Sequence, residues 1–237
     1  MHRFLLALIM ASILPLATSI PASAQTWVQL RYWSTNATVN NAGATFPFTS
    51  GLYGASLRHT FMGGTWALSL NYDHGTIPVT GVLPFTTSGM FNQFWNANIH
   101  YNLPIPTGAL SVFAGYGYAA LELPNFPGGL FSRQSAFRIG VDGRVNLQSN
   151  WYLTGSFGYM PGGTAQQQNF FVVGPASVSA NLSDLQVGLG YSMGGYGIEA
   201  GYRTVNWNFT PGAGSCPGAP CFANWNGWYV GVNFTTP

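Results

Sequence analysis

The chain has 237 residues, with 7 Lys+Arg, 5 Asp+Glu and a formal net charge of +2. Charged residues make up 5% of it, against about 25% in an ordinary soluble domain; yet 47% is hydrophobic and 16% aromatic, which excludes a disordered coil. There is no Lys, so no basic patch exists to hold a nucleic acid, and the length suits one domain.

The first segment reads as an address. His2 and Arg3 precede an apolar run from Phe4 to Ile20, interrupted by Pro15, and Ala22-Ser23-Ala24 supplies the A-x-A form that signal peptidase cleaves. Residues 1–24 are expected to be a cleaved signal peptide for the Sec pathway, with residues 25–237 as a single exported domain. No later stretch reaches the roughly 18 apolar residues that a membrane helix needs. Contact with lipid would therefore have to be made by strands closed into a barrel, where every backbone group is paired.

Period-two alternation then recurs along the chain. In order, the apolar faces are carried by Val28-Leu30-Tyr32, Tyr53-Ala55-Leu57, Trp66-Leu68-Leu70-Tyr72, Trp95-Ala97-Ile99-Tyr101 and Leu110-Val112-Ala114-Tyr116 when alternate positions are read. The second half continues with Phe137-Ile139-Val141, Trp151-Leu153-Phe157, Leu185-Val187-Leu189, Tyr196-Ile198-Ala200-Tyr202 and Trp228-Val230-Val232-Phe234. That predicts about ten strands of roughly 8 to 13 residues, with eight as the alternative. Short turns at 62–64, 102–108, 148–150 and 194–195 alternate with long segments at about 35–51, 74–90, 120–134, 160–181 and 208–225. Short and long connections in strict alternation fit an all-β, transmembrane, antiparallel up-and-down barrel. Trp66, Tyr101, Trp151, Tyr196 and Trp228 are expected at the turn-side interface, and Tyr53, Tyr72, Phe91, Tyr159 and Tyr202 at the loop side.

Charge placement supports the faces. Nine of the charges after residue 24 fall opposite the aromatic stripes: Arg31, Arg58, Asp73, Arg138, Asp142, Arg144, Asp184, Glu199 and Arg203. Glu122 and Arg133 fall in or beside a predicted loop. A charge facing lipid near the midplane would cost about 2–4 kcal/mol, so the nine are assigned to the lumen. There Arg203 stands opposite Gln186 and diagonal to Asp184 across the Gly194-Gly195 turn. The nearly balanced set is expected to plug the lumen with ion pairs; a small aqueous pore is the alternative. Lumen glycines are expected to make room for Arg and aromatic side chains from across the barrel. Cys216 and Cys221 frame Pro217-Gly218-Ala219-Pro220 in the last long loop, and an exported compartment favours a disulfide between them.

The last strand, with Gly227, Val230, Val232 and Phe234, resembles the assembly signal of bacterial outer-membrane β-barrel proteins, the porin-like small barrels of Gram-negative cells. Thr235-Thr236-Pro237 follows the closing aromatic, where many members end. The resemblance spans the whole exported chain in pattern and reaches no subfamily. It implies a multi-pass protein of the bacterial outer membrane whose partners are outer-membrane lipid, periplasmic chaperones and the barrel-assembly machinery. No metal or other cofactor is expected, and the external ligand is left open.

Sites of chemistry are sparse. Asp73 and His74 are adjacent and point to opposite faces, and Glu122 is the other acid near that rim, which argues against omptin-like proteolysis. His59 has the parity of the apolar face but no acid beside it, which argues against a lipid A-modifying enzyme. His100 faces the lumen without a Cys/His cluster of zinc spacing. A non-enzymatic structural or surface-contact role is therefore expected, with a diffusion pore as the alternative.

Overall fold

The computed structural model describes residues 25–41, 44–77, 90–123, 130–168, 176–210 and 221–236. The expected signal peptide, 1–24, lies outside them. Ten strands follow in order: β1 (Thr26–Asn41), β2 (Ala44–Phe61), β3 (Trp66–Ile77), β4 (Met90–Ile105), β5 (Gly108–Leu123), β6 (Leu130–Asn146), β7 (Trp151–Gln168), β8 (Ala176–Met193), β9 (Tyr196–Phe209) and β10 (Cys221–Thr236). Each pairs antiparallel with its sequence neighbours, and β1 pairs with β10, so the sheet closes. Closure removes both edges, and with them the exposed backbone groups that would invite aggregation. The ten-strand expectation holds; the eight-strand alternative does not.

Tight turns gather at one end, the turn side. Met62, Gly63 and Gly64 all have positive φ. Ser149 and Asn150 do too, at φ 56° and 70°, the backbone of a type I′ turn that suits the twist of a hairpin.

Strand lengths depart from expectation. They run from 12 to 18 residues, longer than the 9–11 that span a bilayer core when tilted. The additional residues belong to segments read as loops, and their alternation is inverted. On the turn side, outward positions are apolar, as in Leu68, Val187 and Ile198, while inward positions are Gly, Ser, Asn and charged. On the loop side the faces exchange. Outward positions become Asn36, Ser177, Ser179, Asn206 and Asn208; inward ones become Leu52, Phe94, Leu182, Val205, Trp207 and Trp225. The turn-side half is thus an inside-out barrel, and the loop-side half is a barrel with an ordinary apolar core.

One register shift maintains this inward face. Opposite β8, three steps on β7 from Met160 to Gly163 match two from Leu182 to Ala180. The additional residue forms a bulge at Gly162, φ 46°, and reverses the parity of β7, so that both Met160 and Ala165 are buried inside.

Aromatic pairs ring both borders of the apolar belt. Trp66–Tyr101, Trp151–Tyr191 and Tyr196–Phe234 stand on the turn side at centroid separations of 5.1, 5.1 and 5.6 Å. Tyr32–Tyr53 and Tyr202–Trp228 stand at the loop-side border, 5.2 and 5.3 Å apart. Trp228 therefore belongs to the loop-side ring rather than the turn-side one, because β10 begins at Cys221, earlier than its alternation alone implied.

Candidate functional site

All nine lumen assignments face inward. Five form a continuous ladder. Arg31 donates from Nε and Nη2 to the two carboxylate oxygens of Asp73 at 2.8 and 2.7 Å. Arg203 reaches the same carboxylate through Nη1 at 2.7 Å and clamps Asp184 through Nε and Nη2 at 2.9 and 3.0 Å. Arg138 closes the ladder on Asp184 at 3.4 Å. The guanidiniums of Arg203 and Arg138 also lie 4.7 Å from the ring centroids of Trp33 and Phe113. The diagonal pairing of Arg203 with Asp184, read from the two-residue turn, is present.

Glycines make this crowding possible. Gly54 lies against Asp73 and Arg31, and Gly158 against the Arg138 guanidinium. A Cβ at either position would overlap these groups.

The other four charges do not all find opposite charges. Arg58 pairs with Asp142 at 2.8 Å and also donates to Asn102 and Ser111. Glu199 accepts the Tyr229 hydroxyl at 2.7 Å. Arg144 lies 3.8 Å over the ring of Tyr152 and donates to Asn146. Among the described residues no salt bridge involves Glu199 or Arg144, so the expected balance of pairs is incomplete.

Above the ladder, toward the loop side, buried apolar side chains pack together inside the barrel. Phe94 packs edge-on against Trp225 at 5.1 Å, Trp207 lies 6.5 Å from Trp225 and 4.8 Å from Phe209, and Trp33 and Leu52 have no exposed surface. Below the ladder the interior opens into a polar cavity of about 380 Å³ toward the turn side. Its wall includes Arg58, His100, Asp142, Arg144 and Glu199.

Asp73 points inward and His74 outward, stacked between Tyr72 and Phe91 at 6.3 and 5.9 Å. Glu122 is not isolated in a loop: it and Arg133 lie on β5 and β6, on the outward face, joined at 2.7 Å. The loop-side outer wall is polar, so the pair there escapes the penalty that excludes charge from the belt. Its hydrogen bond with Glu122 raises the Arg133 pKa, with burial acting in the opposite sense. His59 faces outward and contacts Thr26 Oγ1 at 3.0 Å. On β10, Val230 and Val232 face outward, Gly227 inward, and Phe234 joins the turn-side ring. Cys221 opens β10 and is buried, and the described residues include no free cysteine. Cys216 lies outside the described residues.

His100 carries more than a lone hydrogen bond. It sits between Ser69 and Asp142, 2.8 Å from each. No short motif announces this grouping, because three separate strands supply it.

No family model and no curated protein matches the sequence. Solved structures do match. The outer membrane protease OmpT from Escherichia coli is 13% identical over 92% of this chain and 99% of its own, with a TM-score of 0.55. The chain has the fold of the outer-membrane β-barrels. The β domain of the Bordetella autotransporter BrkA gives a TM-score of 0.45 at 11% identity, covering 90% of this chain and 99% of that one. The translocator domain of the autotransporter NalP from Neisseria meningitidis gives 0.42 at 12%, covering 98% and 95%.

Proposed function

We propose that this chain is a multi-pass protein of the bacterial outer membrane with a sealed lumen and a structural or surface-contact role carried by its loop side. The observation that supports this is an ion-pair ladder inside the barrel and, stacked on it, the core of Trp33, Trp207, Trp225 and Phe94. A ten-stranded barrel is only a little wider than the eight-stranded size that side chains fill, and the loop-side apolar cluster supports a filled interior there. The outward apolar belt, with aromatic rings at both borders, meets outer-membrane lipid. Export by the Sec pathway, escort by periplasmic chaperones and insertion by the barrel-assembly machinery complete the reading.

Three features weigh against omptin-like proteolysis: Asp73 is locked between two arginines, His74 faces away from it, and Glu122 is paired with Arg133. Planar-bilayer recording of the purified barrel tests the sealed lumen against the pore alternative. A flat current is expected; steady unitary conductance steps would refute it.

A further inference from the structure

Ser69 of β3, Asn98 and His100 of β4 and Asp142 of β6 line the turn-side cavity together. The register sets Ser69 opposite Asn98, so His100, two residues along the same face, is its diagonal neighbour and within side-chain reach. His100 Nε2 lies 2.8 Å from Ser69 Oγ, and its Nδ1 lies 2.8 Å from Asp142 Oδ2. The other carboxylate oxygen of Asp142 is held by Arg58 Nη1 at 2.8 Å, so the acid cannot swing away. The Nδ1 contact is short but imperfectly aligned, and catalytic hydrogen bonds commonly tighten only with substrate in place. Asn98 Nδ2 donates to Ser69 Oγ at 3.2 Å. The same Nδ2 donates to Asn96 Oδ1 at 2.7 Å, and its place beside Ser69 Oγ makes it the donor nearest to the oxyanion of a tetrahedral adduct on that oxygen.

We propose that Ser69, His100 and Asp142 form a nucleophile–base–acid site that hydrolyses small acyl esters entering from the turn side. Nucleophile, base and orienting acid are linked in the order that such chemistry needs, and the arrangement is recognised by geometry rather than by position in the chain. Ser69 Oγ attacks the ester carbonyl and its proton passes to His100 Nε2, while Asn98 Nδ2 donates to the oxyanion. The C–O bond then breaks, and the alcohol leaves with the proton from His100. Water, deprotonated by His100, attacks the acyl-Ser69 ester and releases the carboxylic acid, restoring the hydroxyl. The sum is ester plus water giving acid plus alcohol, with no cofactor. The core above the ladder separates this cavity from the loop side, so the activity is compatible with surface contact at the other end.

The test uses the full exported chain folded in detergent and a small phosphorylating probe, diisopropyl fluorophosphate, with p-nitrophenyl acetate as substrate. One adduct is expected on the folded protein, mapped by peptide mass spectrometry to Ser69 and absent after boiling. Ser69→Ala should remove the adduct and the burst of p-nitrophenol. His100→Gln, similar in size and polar, should slow adduct formation about 10²-fold or more while the unboiled protein keeps its gel mobility. If His100→Gln does not fold, the position of the wild-type adduct decides the matter. No adduct on folded wild type, an adduct elsewhere than Ser69, or an undiminished rate in folded His100→Gln would overturn the proposal.

Discussion

Replacing Asp73 with Asn tests how the ladder holds the barrel together. The side chain is almost the same size, so the change removes charge rather than volume. Asp73 accepts three charge-assisted bonds, from Arg31 at 2.8 and 2.7 Å and from Arg203 at 2.7 Å, and is 2% exposed. The ladder holds three guanidiniums against two carboxylates; the substitution leaves three against one. Gly54 packs directly on this pair, so there is little room for the arginines to turn toward solvent. Breaking a buried pair by removing one partner costs about 3–5 kcal/mol, and that is the expected loss. The control is Glu122→Gln, whose pair has side chains 29% and 45% exposed; such a pair is worth about 0–1 kcal/mol. Equilibrium urea unfolding in lipid vesicles, followed by tryptophan fluorescence, measures both. Arg31→Met added to Asp73→Asn should recover part of the loss, because it removes one unpaired cation. A loss for Asp73→Asn below about 1 kcal/mol, no larger than the control, would refute the reasoning.

Three further outcomes follow from the same geometry. Leu189→Arg places a charge on the outward belt and should cost about 2–4 kcal/mol, whereas Thr154→Arg, in the cavity wall near Glu199, should cost far less; equal losses by urea unfolding would put the register in error. Unboiled protein should migrate differently from boiled protein on a gel and give a strand-dominated circular dichroism spectrum; a helical spectrum would end the barrel reading. A membrane-impermeant maleimide applied to intact cells should label the protein only after reduction, and labelling without reductant would refute the expected Cys216–Cys221 bond.

Ten strands were legible in the sequence because a lipid-facing strand has one uniformly apolar face. Their loop-side ends were not. There Ser177, Ser179 and Asn181 alternate with Val178, Ala180 and Leu182, and a stretch of Ser, Asn and Ala reads as a loop when strands are sought by outward Leu and Tyr. The inversion of faces hides a regular strand inside loop-like composition. The candidate site shows a related divide. Arg203 and Asp184 could be paired from sequence because a two-residue turn fixes the β8–β9 register. Ser69 and His100 lie on strands joined by a long connection, and Asp142 comes from β6, two strands further on. Register there is set by packing across the closed sheet, which local spacing does not encode.

The exchange of faces midway along the strands also acts as a waterline. Sinking the barrel by one residue pair would drag a ring of Asn, Ser and Thr into hydrocarbon, and raising it would strip lipid from Leu, Val and Ile on every strand. Both displacements are opposed around the whole circumference, so the draught of the protein is fixed by its own wall. A strand of 18 residues, rising about 3.3 Å each and tilted about 40° from the barrel axis, is roughly 45 Å tall against a belt of about 25 Å. The freeboard is built of paired strands around a dry core. The loop-side ends of the strands form a stiff mast held at a set height above the belt.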